Sequence, residues 1–94
     1  MFATVRSYAG SAGLADALVE NEGAIRDLIS GIEGFRAYYF VRGEGDASAS
    51  VSVFDDRAGA EASNGLAAGW IAENLPDLSI SAPSVTAGEV AVAF

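Results

Sequence analysis

The chain has 94 residues and a formal net charge of −8, with no cysteine and no histidine. That length suits one domain, residues 1–94, with a thin stability margin, because a chain this short buries only about 60–65% of its unfolded surface. The missing residue types exclude disulfides, thiolate metal sites and histidine-dependent catalysis or haem ligation. The acidic balance makes nucleic acid and anionic membrane poor partners.

No apolar run approaches the ~18 residues of a spanning helix. The opening "MFATVRSY" carries Arg6 inside an alternating pattern and lacks the apolar stretch of a signal peptide. A soluble, cytoplasmic protein is expected.

Phe2 to Tyr8 alternates and is rich in β-branched and aromatic residues, which predicts a strand. "AGSAG" breaks it. From Leu14 the period changes: Leu14, Leu18, Ile25, Leu28, Ile29 and Ile32 fall at helical spacing, with Ser11 as N-cap and Gly31 and Gly34 as the stop. "GFRAYYFVRG" (34–43) is a second strand, apolar and aromatic on both faces. The glycines of "GEGD" suit a hairpin loop, and "ASASVSVFD" alternates as the third strand. Asp55 and Asp56 cap a second helix along Ala58, Ala62, Leu66 and Trp70, which Pro76 ends; a metal at this acid pair is not expected. A crossing segment follows, with a short extended piece near Leu78–Ser81, and "EVAVAF" closes the chain as a last strand.

The order βαββαβ predicts an α+β fold, a ferredoxin-like sandwich with a four-stranded antiparallel sheet and two helices on one face. Strand parity places Ala3, Val5, Phe35, Ala37, Tyr39, Val41 and the valines of the third strand against the helices. The other face then carries Phe2, Tyr8, Tyr38, Phe40 and Phe54, with Arg6, Arg36 and Arg42 at its rim. Left wet, those aromatics would form a larger apolar patch than a monomer usually exposes. Burial against a second copy, with Phe2, Tyr8, Tyr38, Phe40 and Phe54 in the interface, is therefore expected.

"GFRAYYFV", "SVSVFDDRAGAEASNGLAAGWIAENLPDL" and "GEVAVAF" together resemble the dimeric α+β barrel superfamily, and within it the antibiotic-biosynthesis-monooxygenase-like domains. The resemblance spans essentially the whole chain. It implies a homodimer whose sheets face each other, with a pocket in each protomer between the second helix and the sheet. Its cofactor-independent oxygenases act on polycyclic phenols with a pocket asparagine, tryptophan and tyrosine. Trp70 lies on the expected helix, but Leu66 stands one turn before it; Asn64 is six residues before and Asn74 one turn after. The haem-degrading relatives need a histidine that this chain lacks.

Trp70, Tyr39 and Phe35 are accordingly the candidate pocket walls, with Asn74 and Asn64 as candidate polar groups. An aromatic on an apolar helical stripe is otherwise core. A face without ionisable groups suits a neutral aromatic or apolar ligand. The expected protein is a homodimeric small-molecule-binding domain of unassigned reaction, with no cofactor and no metal. The alternative is a cofactor-independent monooxygenase acting on an aromatic or polycyclic phenolic substrate.

Overall fold

In the computed structural model, which describes residues 1–94, the elements are β1 (Phe2–Tyr8), α1 (Leu14–Glu20), α2 (Glu22–Ser30), β2 (Phe35–Arg42), β3 (Ser48–Phe54), α3 (Arg57–Asn74) and β4 (Ser84–Glu89). The strands form one antiparallel sheet in the order β2-β3-β1-β4. The α+β, ferredoxin-like architecture expected from the sequence is the one observed, with the helices packed on one face.

Four features differ from the sequence reading. The first helix is broken at Asn21, whose Nδ2 donates to the Ala17 carbonyl at 2.7 Å. A short amide competing with the backbone in this way interrupts a helix. Its start is set by Gly13 in the left-handed region (φ 84) and not by a Ser11 side-chain cap. The last strand lies earlier than "EVAVAF". Ser84–Glu89 pairs with Ser7–Phe2, which consumes β1, so only the Val90 amide still finds a partner, the Met1 carbonyl at 2.9 Å. Between α3 and β4, Pro76–Leu78 makes a 3-10 turn where an extended piece was expected, and Ser79 turns the chain at φ 52. By contrast α3 runs unbroken past Asn64-Gly65, with Asp56 as its N-cap accepting from the Gly59 amide.

The faces of the sheet are reversed relative to expectation. Tyr8 packs with Leu14 and Leu18, and Phe54 packs with Ile29 and Ala60, so the helix-facing side carries Phe2, Thr4, Arg6, Tyr8, Ser48, Ser50, Ser52 and Phe54. Tyr38 and Phe40 join it, opposite Ser52 and Ser50. The five aromatics assigned above to a dimer interface, Phe2, Tyr8, Tyr38, Phe40 and Phe54, therefore belong to the inner layer; Phe54 is completely buried. Ala3, Val5, Ala37, Tyr39, Val41, Ala49, Val51 and Val53 face the other way.

One irregularity accounts for part of the difference. Phe35 pairs with Phe54 but Ala37 pairs with Val53, so Arg36 is the extra residue of a β-bulge and parity flips across it. Phe35 thus turns inward and meets Phe54 edge-on, with ring centroids 6.0 Å apart. Gly34, at φ 83, delivers the chain into this bulge; a side chain there would be strained and would crowd Asp55. At the other end of the same ring, Gly59 lets α3 lie directly on Phe54, since a Cβ would come within 2.8 Å of it.

Candidate functional site

Two short helices roof one half of the sheet, and beneath them the packing is incomplete. A cavity of about 650 Å³ lies between α1, α2 and β2, walled by Leu18, Val19, Ile25, Ile29, Phe35, Tyr38 and Phe40. Arg42 and Arg26 edge its mouth, held by Asp16 (2.9 Å) and Glu22 respectively. The lining is largely apolar because the inward aromatics of β2 meet the apolar stripe of the roof helices.

A second space of about 20 Å³ adjoins it, between α3 and the sheet. Leu18, Ile25, Ile29, Tyr38 and Phe40 wall both spaces, while Arg6, Ser50 and Trp70 line the inner one alone. The location expected from the sequence, beside Trp70, is therefore this small chamber, and the roomier part lies next to it under α1 and α2.

Arg6 is the unusual group here. It sits in the middle of β1 and is only 3% exposed. Its guanidinium donates to Asn64 Oδ1 at 2.7 Å and reaches Ser63 and Ser52 hydroxyls at 3.5 Å. Asn64 also accepts from the Thr4 hydroxyl at 2.9 Å. Arg6 Nε and the Ser50 hydroxyl make no well-formed hydrogen bond within the protein, although both side chains approach the Tyr38 hydroxyl. The Tyr38 hydroxyl is close by: burial raises its pKa above the ordinary tyrosine value, and the nearby Arg6 charge offsets that only in part.

The candidate residues separate accordingly. Phe35 walls the larger cavity and Trp70 the chamber, where it packs against the Tyr8–Leu14–Leu18 cluster. Tyr39 does not reach either space; beyond the bulge its parity points it to the far face, where it is 61% exposed. Asn74 turns back to donate to the Trp70 carbonyl at 2.9 Å at the exposed end of α3. Asn64 binds Arg6 and Thr4. Sequence reasoning put Arg6 on the wrong face. The available signal was that it shares parity with Phe2 and Tyr8, the two bulkiest apolar residues of its strand.

No protein-family model matches the sequence, and no curated protein matches it. Solved structures do. A protein of unknown function from Nitrosomonas europaea superposes with a TM-score of 0.73 at 22% identity, covering 99% of this chain and 91% of that one. The chain has the fold of that protein. A protein from Deinococcus radiodurans, described as a candidate antibiotic biosynthesis monooxygenase, shares the fold at a TM-score of 0.72 and 16% identity, covering 100% and 96%. So does a mutant of SnoaB, a cofactor-independent oxygenase from Streptomyces nogalater, at 0.66 and 12%, covering 98% and 94%. The structural likeness expected from the sequence is thus present, and at these identities it is a likeness of fold. No helix is long and apolar enough to cross a membrane.

Proposed function

We propose that residues 1–94 act as one small-molecule-binding domain that works as a homodimer in the cytoplasm, with an aromatic or largely apolar ligand held between the roof helices and β2. The observation that carries this reading is the cavity of about 650 Å³, a volume and lining typical of small-ligand sites.

The homodimer part rests on the outer face of the sheet. Val5, Ala49, Val51 and Val53 are only half-buried there, and Tyr39 and Val41 are more than half exposed. Apart from Ser7, Ser84 and Thr86 the face is apolar, and it is uncharged, which suits a second copy of the same sheet. The exposed Val92 and Phe94 add apolar surface beyond the sheet.

Trp70 is the single tryptophan and lines the chamber, so its emission reports occupancy. Titration with hydroxylated polycyclic aromatics should change that emission saturably, and Ala15→Phe, which fills the cavity, should abolish the change. Oxygen uptake measured in parallel tests the oxygenase alternative. Ligand-independent emission in the parent protein would overturn the binding reading. Sedimentation equilibrium should give a dimer at micromolar concentration; a monomer would overturn the assembly.

A further inference from the structure

We infer that the inner chamber is an anion site and that the ligand is an aromatic or apolar molecule bearing one ionised oxygen group, bound by Arg6 with Tyr38 and Ser50 beside it. This rests on the cavity being a ligand site, and it names what that ligand must carry.

The five arginines of this chain are treated very differently. Arg26, Arg36 and Arg42 each pair with a carboxylate at the surface, and Arg57 lies over the Phe2 ring. Arg6 alone is buried, and no acid pairs with it, although the chain contains thirteen acidic residues. Its neighbours Asn64, Ser63 and Ser52 accept hydrogen bonds without supplying charge. Tyr38 is no counter-ion either, because burial keeps its hydroxyl protonated at neutral pH. A guanidinium keeps its charge when buried, and an uncompensated buried charge is among the costliest features a small fold can hold.

Position then connects the charge to the cavity. Arg6 lines the chamber, and five side chains wall both chamber and cavity. The Arg6 Nε and the Ser50 hydroxyl, neither with a well-formed hydrogen bond, lie at that inner end beside the Tyr38 hydroxyl. A ring system in the outer cavity with a charged oxygen substituent directed inward would fill the two spaces together and supply the missing acceptor. The expectation of a neutral ligand assumed that no ionisable group faced the helices; Arg6 and Tyr38 do.

The test compares 2-naphthoate with 2-naphthamide, two probes of matched shape that differ in charge, at pH 7. Trp70 emission and the ligand-induced rise in Tm are read for each. Naphthoate should bind about 10–100-fold more tightly, the range expected for hydrogen bonds to a charged group. Arg6→Met should abolish the difference in affinity between the two probes. Replacing a buried ion with an apolar residue of similar size is often tolerated. Should that variant fail to fold, the ratio in the parent protein and its partial retention in Arg6→Lys decide the matter. Equal affinity for the two probes overturns the anion site and leaves the cavity reading standing. Binding of neither overturns both. A naphthoate preference that survives Arg6→Met assigns the charge elsewhere and overturns the role of Arg6.

Discussion

Toward the helices the sheet presents Thr4, Arg6, Ser48, Ser50 and Ser52, all buried; away from them it presents alanines, valines and Tyr39, with Ser7, Ser84 and Thr86 toward the β4 edge. In most half-covered sheets the polar side faces water. Here bulk and polarity are separated. The aromatics Phe2, Tyr8, Phe35, Tyr38, Phe40 and Phe54 stand on the helix side and hold the roof off the sheet, with the hydroxyl residues between them. The outer face has no such relief and is largely apolar and open. One face thus borders a cavity under helices, and the other carries no covering element.

The sharpest way to break this contrast is to damage the inner face. Phe54→Ala removes a fully buried ring that touches Phe35, Ile29 and the helix at Gly59, and should cost about 3–5 kcal/mol. Against a total stability of about 5–15 kcal/mol, urea denaturation should show a largely unfolded or barely stable protein.

Damage to the outer face should act on assembly instead. Val51→Asp puts a charge at the centre of the proposed sheet-to-sheet contact, and should weaken the dimer at least about 100-fold. Far-UV circular dichroism should remain unchanged while sedimentation shifts to the monomer. Unfolding of Val51→Asp with a tolerant Phe54→Ala would reverse the assignment of the faces.

The smallest effect concerns pH. Tyr38 has a raised pKa in the folded state, so above about pH 10, the ordinary tyrosine value, the unfolded chain releases this proton more readily than the folded one. The stabilisation is fully present below that pH and is lost as pH rises through the folded value. Tyr38→Phe should flatten the alkaline limb of a Tm-against-pH curve and leave the neutral region nearly level.

Element order and antiparallel topology were legible because period and turn chemistry specify them locally: Gly43–Asp46 for the hairpin, Asp56 for the cap of α3, Pro76 for its end. The faces were not. Alternation in β3 separates Ser48, Ser50 and Ser52 from Ala49, Val51 and Val53, but it does not say which set is inside. Hydropathy favours the valines, and the answer came from the aromatics that share parity with the serines. The bulge at Arg36 then carried Phe35 across to join them, and no local pattern announces an unpaired residue. The site suffered the same loss. Phe35 and Trp70 reach the two spaces, but Tyr39 followed its strand outward and Arg6 inward. The position of β4 depended on where β1 ran out, a long-range fact.

The interruption at Asn21 has a consequence for motion. It divides the roof into helices of 7 and 9 residues. Pieces that short do not hold their shape in water unaided, so α1 and α2 persist only through the anchors Leu14, Leu18 and Ile29. The strands beneath are tied by ladders on both sides of β1 and β3, interrupted only at the Arg36 bulge. The free energy needed to loosen the roof is therefore smaller than that needed to open the sheet, and the two belong to separate cooperative units. Motion of the roof over the cavity is then a partial unfolding event, opposed by two leucines and an isoleucine instead of by a hinge.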